Sequence, residues 1–301
     1  MKIPIIFLGT SSGIPTSTRN HTSILLSYKS EKLLIDCGEG TQRQMRKAKI
    51  NPCKITRLLI THAHGDHIFG LPGFFQTLAL NGYEKTLYIY GPKGTKKLIE
   101  NIFKVFILTK KIKFKVEEVK GKFLDNNDFT LSATALEHDI PTNGYVFQEK
   151  DKLRIHKDKL NKLKIKNHPD LGKLTQGKDI KIDNKTIKSK DLTYPQKGRK
   201  ISFIFDTKLC PNVRKLAKDA DLAIMEATFL SDSKEGDSFA KEYKHMTVEE
   251  ACNTAKKSNT KELALTHFSQ RYEFKEKLLS SIAKKIFPKT TIAKDFLTIE
   301  V

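Results

Sequence analysis

The segment Thr61-His62-Ala63-His64-Gly65-Asp66-His67 restricts what this chain can fold into more than any other feature of its sequence. It places three histidines and one aspartate within six positions, directly after the apolar run Arg57–Ile60. Neutral imidazole and carboxylate are the usual ligands of zinc-like divalent metals where thiolates are absent. A plain surface turn does not require this combination, so the segment predicts a metal centre at the end of a strand.

The spacing within this segment predicts ligands for two ions. His62 and His64 are two residues apart and can point to the same side of an extended or turning backbone. Asp66 and His67 follow Gly65, where the chain can bend, so they can face a second ion. Four side chains cannot complete two metal shells, and further ligands must come from other parts of the chain.

Three later candidates share one pattern, a single polar residue at the end of an apolar run. Open α/β sheets collect their functional residues at such carboxyl ends of strands. Alone, each has an ordinary alternative, a half-buried histidine or a turn aspartate, but together they favour a two-metal centre. The candidates are His138 after Phe129–Glu137, Asp206 after Ile201–Phe205, and His267 after Leu263–Thr266.

The charge balance favours a polyanionic partner. The 301 residues include 55 Lys and Arg but only 34 Asp and Glu, a net charge of +21. Such a field favours nucleic acid or an acidic surface through steering and counterion release, although a lysine-rich composition without a partner is the alternative. The apolar runs are too short to span a membrane, and no basic amphipathic helix stands out, so we expect nucleic acid and no membrane.

The N-terminus and the cysteines indicate a cytoplasmic protein. The first residues run into Gly9-Thr10-Ser11-Ser12-Gly13, which is typical of a first strand and its turn rather than an export signal. The four cysteines lie singly along the chain, which favours reduced thiols over a disulfide framework or a thiolate metal site. They are Cys37, Cys53, Cys210 and Cys252.

Patterning divides the chain into three stretches. Up to about Tyr145 strand and helix patterns alternate, and regular patterning returns at Lys200. Gln148–Lys200 differs: it carries 17 basic and 7 acidic residues, an excess of 10, with turn residues throughout. We interpret it as an inserted basic segment without a core of its own. The strands predicted are Ile3–Leu8, Ile24–Tyr28, Lys32–Asp36, Arg57–Thr61, Leu87–Tyr90, Phe129–Ala135, Ile201–Phe205, Leu222–Glu226 and Leu263–Thr266, and the helices are Thr41–Lys49, Leu71–Leu80, Gly94–Phe106 and Thr247–Ser258.

The order of these candidates resembles the metallo-β-lactamase superfamily and, within it, the ribonuclease Z family of tRNA 3′-end processing endonucleases. Two positions depart from that family's pattern, because Met225 stands where many members carry histidine and Met246 replaces a serine. Both leave His245 and Thr247 in place. The similar motifs run nearly end to end: Phe7-Leu8-Gly9-Thr10 with Pro15 and Arg19-Asn20, Leu34–Gln42, His62–Gly73, Glu226–Phe229, His245–Thr247 and Thr266–Tyr272.

The resemblance implies a fold and an assembly. The fold would be a single α/β domain, residues 1–301, built as a four-layer αββα sandwich. Residues 148–200 would form a protruding flexible arm that grips tRNA, and the active form would be a homodimer. Each subunit would hold two zinc ions, and manganese could replace zinc in vitro.

The resemblance also implies a role for each matched residue. His62, His64 and His138 would hold one zinc, Asp66, His67 and His267 the other, and Asp206 would bridge them. Asp66 would orient or deprotonate the attacking water. His245 would protonate the departing ribose oxygen, steered by Glu226. Weaker candidates for phosphate contacts are Ser11, Thr16, Arg19 and Arg271.

The expected function is therefore a zinc-dependent endoribonuclease that removes the 3′ trailer from precursor tRNA and leaves a 3′-hydroxyl. One alternative is a hydrolase of the same fold that acts on a small phosphodiester, thioester or lactone, since fold does not determine function. Another is a metal-stabilised RNA-binding protein without catalysis. The basic segment and His245 argue against the first, and the complete ligand set argues against the second.

Overall fold

The computed structural model describes residues 2–106, 112–163, 165, 168–182, 185–231 and 234–301. The chain separates into two compact units. The first comprises Met1–Leu124, Leu131–Phe147 and Lys200–Val301, and the second comprises Asp125–Thr130 and Gln148–Arg199.

Eighteen strands lie within the described residues. In chain order the strands of the described residues are β1 Pro4–Gly9, β2 Ser23–Tyr28, β3 Glu31–Ile35, β4 Arg57–Leu59, β5 Thr86–Gly91, β6 Lys113–Glu118, β7 Gly121–Asp125, β8 Phe129–Leu136, β9 Thr142–Glu149, β10 Lys152–Ile155, β11 Ile180–Ile182, β12 Lys185–Ile187, β13 Thr193–Gln196, β14 Lys200–Ile204, β15 Leu222–Glu226, β16 Glu262–Thr266, β17 Thr290–Ile292 and β18 Thr298–Glu300.

Helices occupy most of the connections between these strands. They are α1 Thr41–Lys47, α2 Gly65–Ile68, α3 Leu71–Leu80, α4 Thr95–Val105, α5 Lys157–Lys162, α6 Leu171–Leu174, α7 Ser189–Leu192, α8 Pro211–Ala217, α9 Lys234–Glu242, α10 Val248–Lys257 and α11 Glu276–Ile286, with short 3₁₀ turns at Pro52–Lys54 and Gln270–Tyr272. Among the described residues no helix is both long enough and apolar enough to cross a membrane.

Two seven-stranded sheets form the first unit. The first has the order β18-β1-β2-β3-β4-β5-β6 and the second the order β17-β16-β15-β14-β9-β8-β7. Strands β3 to β6 run parallel, as do β14 to β17. Parallel strands end at one edge of their sheet, so the residues that follow them are brought together.

The two sheets face each other and carry helices on their outer faces. Tyr28 of β2 and Phe147 of β9 meet with ring centroids 5.2 Å apart, and the Tyr145 hydroxyl donates to the Ile60 carbonyl at 2.6 Å. Buried residues of α1, α3 and α4 pack on the first sheet, and those of α8, α10 and α11 on the second. Every residue of β2 is buried because both faces are covered. The predicted four-layer αββα arrangement is confirmed.

The predicted elements fall within one or two residues of the observed ones. Leu71–Leu80 and Leu222–Glu226 match to the residue, whereas the strand predicted to reach Thr61 ends at Leu59. The sequence did not indicate β6, β7, β9, β17, β18, α2, α8, α9 and α11, or the strands and helices between β9 and β14. β6 and β7 could not be predicted because they are largely exposed and carry charged residues in place of an apolar pattern.

The second unit has a small apolar cluster of its own. β10 pairs antiparallel with β13, with Lys152 opposite Gln196, and β11 pairs with β12. Leu174, Ile180 and Leu192 are buried against one another. The expectation that this segment forms no core was therefore wrong. Its apolar residues are scattered among lysines in the sequence and meet only after the strands pair.

All four cysteines are free thiols, as predicted. Cys37, Cys210 and Cys252 are buried, and burial raises the pKa of Cys37 and Cys252 to about 12. These thiols are structural and do not take part in the site described next.

Candidate metal centre

The sequence-predicted ligands converge from both sheets. His62 follows β4 of the first sheet, while Asp206 and His267 follow the parallel strands β14 and β16 of the second. His138 lies two residues beyond β8. Because the sheets face each other, the ends of these strands place their side chains in one cluster.

One group of ligand atoms surrounds a first position. His64 Nδ1 lies 3.1 Å from His62 Nε2 and 3.2 Å from His138 Nε2. Asp206 Oδ2 lies 3.5 Å from His62 Nε2 and 4.0 Å from His138 Nε2. These four residues could hold one metal ion and are called the first ligand set.

A second group is more regular. His67 Nε2 lies 3.3 Å from Asp66 Oδ2, 3.2 Å from His267 Nε2 and 3.3 Å from Asp206 Oδ1. His267 Nε2 lies 3.3 Å from Asp66 Oδ2 and 3.2 Å from Asp206 Oδ1. These four residues form the second ligand set, and Asp206 offers one oxygen to each set.

These spacings fit divalent metal ions. Ligands about 2.0–2.1 Å from a tetrahedral zinc stand about 3.3 Å from one another, which is close to the separations in the second ligand set. Asp206 Oδ1 is buried without a hydrogen-bond partner, although a buried carboxylate oxygen in a protein ordinarily has one. A cation would satisfy it. The two sets therefore constitute a divalent metal site.

Burial and neighbouring charge set the protonation of the ligands. Burial, with help from nearby imidazoles, holds the pKa of His62 well below its ordinary value, and burial also lowers the pKa of His138. Both rings are therefore neutral and can offer a lone pair. Burial opposes ionisation of Asp66, but His67 and His267 outweigh it and hold its pKa below the usual range.

Asp36 orients His67 and was not among the predicted site residues. Its Oδ2 accepts from His67 Nδ1 at 2.7 Å, and its two oxygens also accept from the backbone amide and hydroxyl of Thr61, each at 2.7 Å. This fixes the His67 tautomer, so that Nε2 faces the metal position. The signal that could have found Asp36 is its place at the end of a strand, the same pattern that identified Asp206.

Thr228 and Glu226 hold His267 in a similar way. His267 Nδ1 donates to Thr228 Oγ1 at 2.9 Å, and Thr228 Oγ1 donates to Glu226 Oε2 at 2.6 Å. The other oxygen of Glu226 accepts from the Thr207 amide at 2.7 Å and from His245 Nδ1 at 3.0 Å. One fully buried carboxylate therefore connects a metal ligand to His245.

His245 lies beside both ligand sets. Its ring centroid is 5.1 Å from that of His138 and 5.5 Å from that of His267, and its side chain is 13% exposed. Burial disfavours the imidazolium, but the Glu226 carboxylate outweighs burial and raises the pKa of His245 to about 9. The Glu226 carboxylate therefore favours the imidazolium form of His245.

Three residues of the site have a left-handed backbone within two residues of the end of a strand. Asp36, Asp206 and His267 have φ values of 56°, 38° and 61°. This conformation is costly for a residue with a β-carbon and is concentrated at functional sites. It turns each side chain out of the line of its strand and towards the ligand atoms.

The surroundings of Arg19 and Ser11, two of the weaker candidates, do not favour phosphate contacts. Arg19 is 3% exposed, and its guanidinium donates to Thr10 Oγ1 and to the Ala293 carbonyl, each at 2.7 Å. Ser11 is fully buried and donates to a backbone carbonyl, and Thr16 Oγ1 accepts from the Arg19 amide at 3.0 Å. Arg19 and Ser11 support the loop from inside, which argues against a phosphate contact by either.

Arg271 differs from these three because it is exposed. Its guanidinium carbon lies 4.6 Å from the ring centroid of Phe239 and 5.5 Å from that of Phe229. The Phe229 ring lies 6.0 Å from His245. Stacking limits the motion of the cation while leaving it available to an anion near His245.

The two departures from the family pattern are accommodated in one core. Met225 and Met246 are both fully buried in the apolar cluster between the second sheet and its helices. Methionine fills such space without a polar atom that needs a partner. Met246 does not disturb the start of α10 beside His245. Thr247 is the N-cap of this helix, and its hydroxyl accepts from the Glu250 amide at 3.2 Å.

Comparison with known proteins gives one consistent result. A family model described as Anti-Pycsar protein Apyc1 matches residues 3–167, and one described as Beta-lactamase superfamily domain matches residues 184–268. A protein named Ribonuclease Z from Methanothermobacter thermautotrophicus is 40% identical, covering 99% of this chain and 96% of the relative. One with the same name from Prochlorococcus marinus is 41% identical, covering 99% of each.

A solved structure agrees with the sequence relatives. The crystal structure of human tRNase Z, short form, superposes with a TM-score of 0.70 at 28% identity and covers 98% of both chains. The matched regions therefore span the parts of the chain that carry both ligand sets.

Proposed function

The chain belongs to the ribonuclease Z family of the metallo-β-lactamase fold, and from that premise we propose that it is a metal-dependent endoribonuclease that removes the 3′ trailer from precursor tRNA. The main support for this activity is the pair of ligand sets joined through Asp206, with His245 beside them. A phosphodiester needs charge neutralisation, an oriented water and an acid for the leaving oxygen, and this arrangement provides a place for each.

The two ligand sets would hold two zinc ions in each subunit, with manganese as a replacement in vitro. Bound there, the ions would make water more acidic and offset the negative charge of the scissile phosphate. Asp206 would keep the two positions close together, since its two oxygens belong to different sets.

Asp66 would orient the attacking water by accepting a hydrogen bond. Burial disfavours the ionised form of Asp66, but His67 and His267 stabilise it more strongly and hold the pKa of Asp66 low. A carboxylate of low pKa is a weak base, so we favour orientation over proton abstraction for Asp66.

His245 would donate a proton to the departing 3′ oxygen of the tRNA. Its Nδ1 is bonded to Glu226 at 3.0 Å, which leaves Nε2 as the ring nitrogen available to substrate. Because Glu226 raises the pKa of His245 to about 9, the ring carries that proton at neutral pH. The tRNA would leave with a 3′-hydroxyl and the trailer with a 5′-phosphate.

The substrate and the assembly complete the proposal. Residues 148–200, with an excess of 10 positive charges, would bind the tRNA backbone, which proteins recognise largely by shape and phosphate contacts. The active form would be a cytoplasmic homodimer. Sedimentation or light scattering of the purified protein would test the dimer directly.

End mapping of a cleaved transcript tests the proposed activity. Purified protein with zinc or manganese should cut a 3′-extended precursor tRNA once, after the discriminator nucleotide, and a chelator should abolish cleavage. Asp66→Ala should remove activity while tRNA binding persists. Turnover of small phosphodiesters, thioesters or lactones with the transcript left intact would instead establish the small-molecule alternative. Cleavage at an unrelated position would contradict the proposal.

A further inference from the structure

Phe69 is an exposed aromatic residue next to the metal ligands, and none of the roles above uses it. It lies two residues after His67, yet 65% of its surface is accessible to solvent. The residues on either side, Ile68 and Gly70, are buried. Its exposure beside the ligands leaves the ring accessible to a substrate bound at the site.

The position of the Phe69 ring is set by the ligand loop itself. The Phe69 amide donates to the Gly65 carbonyl at 2.8 Å, which closes the single turn of α2. The ring then lies over Gly65: a β-carbon at that residue would stand 2.2 Å from Phe69 Cε2 and Cζ. Glycine has no β-carbon, which permits this close approach.

Gly65 separates a ligand of the first set, His64, from a ligand of the second, Asp66. The Phe69 ring consequently covers the backbone that joins the two sets. One side of the ring is supported by that backbone, and much of the rest faces solvent. A supported, solvent-facing ring is a suitable surface for stacking, because little conformational freedom is lost when a second ring packs on it.

A nucleobase is the aromatic group that an RNA substrate would bring to this position. Bases next to a cleaved phosphodiester are within a few ångströms of the reacting phosphate, and single-stranded RNA is commonly bound by stacking on aromatic side chains. The 3′ trailer is single-stranded next to the acceptor end. This step rests on the proposed function.

The position of His245 indicates which base this would be. His245 lies against His138 and His267, whereas Phe69 lies against the His64–Asp66 connection. In the proposed reaction His245 protonates the leaving 3′ oxygen. That oxygen belongs to the last nucleotide of the tRNA, so His245 lies next to this nucleotide. We propose that Phe69 stacks on the base of the first trailer nucleotide, immediately 3′ of the cleaved bond.

The test compares two precursor transcripts, one with a normal first trailer nucleotide and one with an abasic residue there. On the normal transcript Phe69→Ala should lower kcat/KM by roughly 5- to 150-fold, the range that loss of one base–aromatic stack produces. On the abasic transcript the substituted and unsubstituted enzymes should cut at the same rate. Phe69→Tyr should restore cleavage of the normal transcript.

Phe69→Leu separates stacking from simple coverage of the ligand loop. Leucine still covers Gly65 but cannot stack, so it should resemble alanine in kcat/KM while binding as much metal as the unsubstituted protein. Leu80→Ala, which removes another exposed apolar side chain at the end of α3, is the matched control and should change nothing.

Three outcomes would overturn the inference. The first is a Phe69→Ala enzyme as active as the unsubstituted one on the normal transcript, and the second is an equal loss on both transcripts. The third needs one more transcript, with the abasic residue at the discriminator position: it is a loss that disappears only on that transcript. An unsubstituted enzyme that cuts neither transcript would overturn the proposed function itself.

Discussion

At the scale of single residues, Asp206 determines that the two ligand sets form one centre. Its Oδ2 belongs to the set of His62, His64 and His138, and its Oδ1 to the set of His67 and Asp66 with His267. The side chain is 3% exposed. A buried carboxylate shared in this way couples the two positions, so loss of a ligand from either set affects both.

We expect Asp36→Asn to weaken metal binding without unfolding the protein. The substituted asparagine would retain one acceptor oxygen for the three donors that Asp36 satisfies, and the orientation of His67 would become less fixed. Removing such an outer partner typically lowers metal affinity about 10- to 100-fold. Competition with a chromophoric chelator measures the change.

Asp219→Asn is the matched control for this substitution. Asp219 also has a left-handed backbone, with φ of 53°, but is exposed and bonded to Asn259. Asparagine tolerates that conformation, so any loss of metal affinity in this variant would show that the effect at Asp36 is not specific to His67.

The pKa of His245 predicts how activity depends on pH. The acid must be protonated, so kcat should be sustained below about pH 9 and fall as pH rises through that value. Glu226→Gln removes the charge that raises the pKa of His245. The alkaline limb of the profile, where kcat falls with rising pH, should therefore move to lower pH. A pH profile of kcat at constant ionic strength measures this.

Glu137→Gln controls for the loss of a nearby negative charge. Glu137 precedes His138 but is 51% exposed and paired with Lys208 at 2.9 Å. Its neutralisation should leave the alkaline limb in place. A limb that stays unchanged in Glu226→Gln would contradict the assignment of His245 as the acid.

At the scale of elements, the loops after β14, β15 and β16 build one wall of the site. Parallel pairing keeps the ends of these three strands adjacent, so Asp206, Glu226 and His267 are neighbours although they lie far apart in sequence. Helix α10 then holds the segment that carries His245.

The start of α10 should contribute measurably to stability. Thr247 and Glu250 form a capping box, and Thr247 Oγ1 also accepts from Ser231 Oγ at 2.9 Å. Thr247→Ala should lower the free energy of unfolding by about 1 kcal/mol. That corresponds to a fall in Tm of about 2–4 °C, measurable by calorimetry.

Thr247→Ser supplies the comparison, since serine keeps the capping hydroxyl and should restore most of the stability. If alanine and serine behave alike, the cap is not what stabilises this end of α10. His245 lies two residues before the cap, so Thr247→Ala should also reduce kcat more than it raises KM.

At the scale of the whole molecule, positive charge is concentrated in one inserted segment. Residues 148–200 hold almost half of the net charge of +21. The same segment lies mostly in the second compact unit, which has its own strand pairs and apolar cluster. A charged segment with internal structure can be removed with less damage to the first unit than a strand of either sheet.

Replacing residues 152–196 by Asn-Gly should weaken tRNA binding and flatten its salt dependence. Lys152 and Gln196 are paired strand residues, so a two-residue turn can join Asp151 to Lys197. The deletion removes 13 basic and 5 acidic residues. The slope of log affinity against log salt should fall by about 0.7–0.9 for each phosphate that the protein no longer neutralises.

Turnover of a small synthetic phosphodiester should persist in this deletion, because both ligand sets lie in the first unit. Loss of that turnover would show that the deletion damages the metal centre. Unchanged tRNA affinity at every salt concentration would show that the segment does not bind the substrate.

The sequence by itself determined which residues are candidate ligands, because His62–His67, His138, Asp206 and His267 each follow a locally recognisable strand, and their side chains come together in the structure. Apolar periodicity located many of the strands and helices, and the resemblance to the metallo-β-lactamase superfamily implied the four-layer fold. Only the tertiary structure decided that Arg19 is internal, bonded to the Ala293 carbonyl 274 residues away. It likewise decided that Asp36 and Thr228 orient ligands, and that the basic segment has a core. Burial and hydrogen-bond partners arise between segments distant in the chain, and local sequence patterns do not contain them.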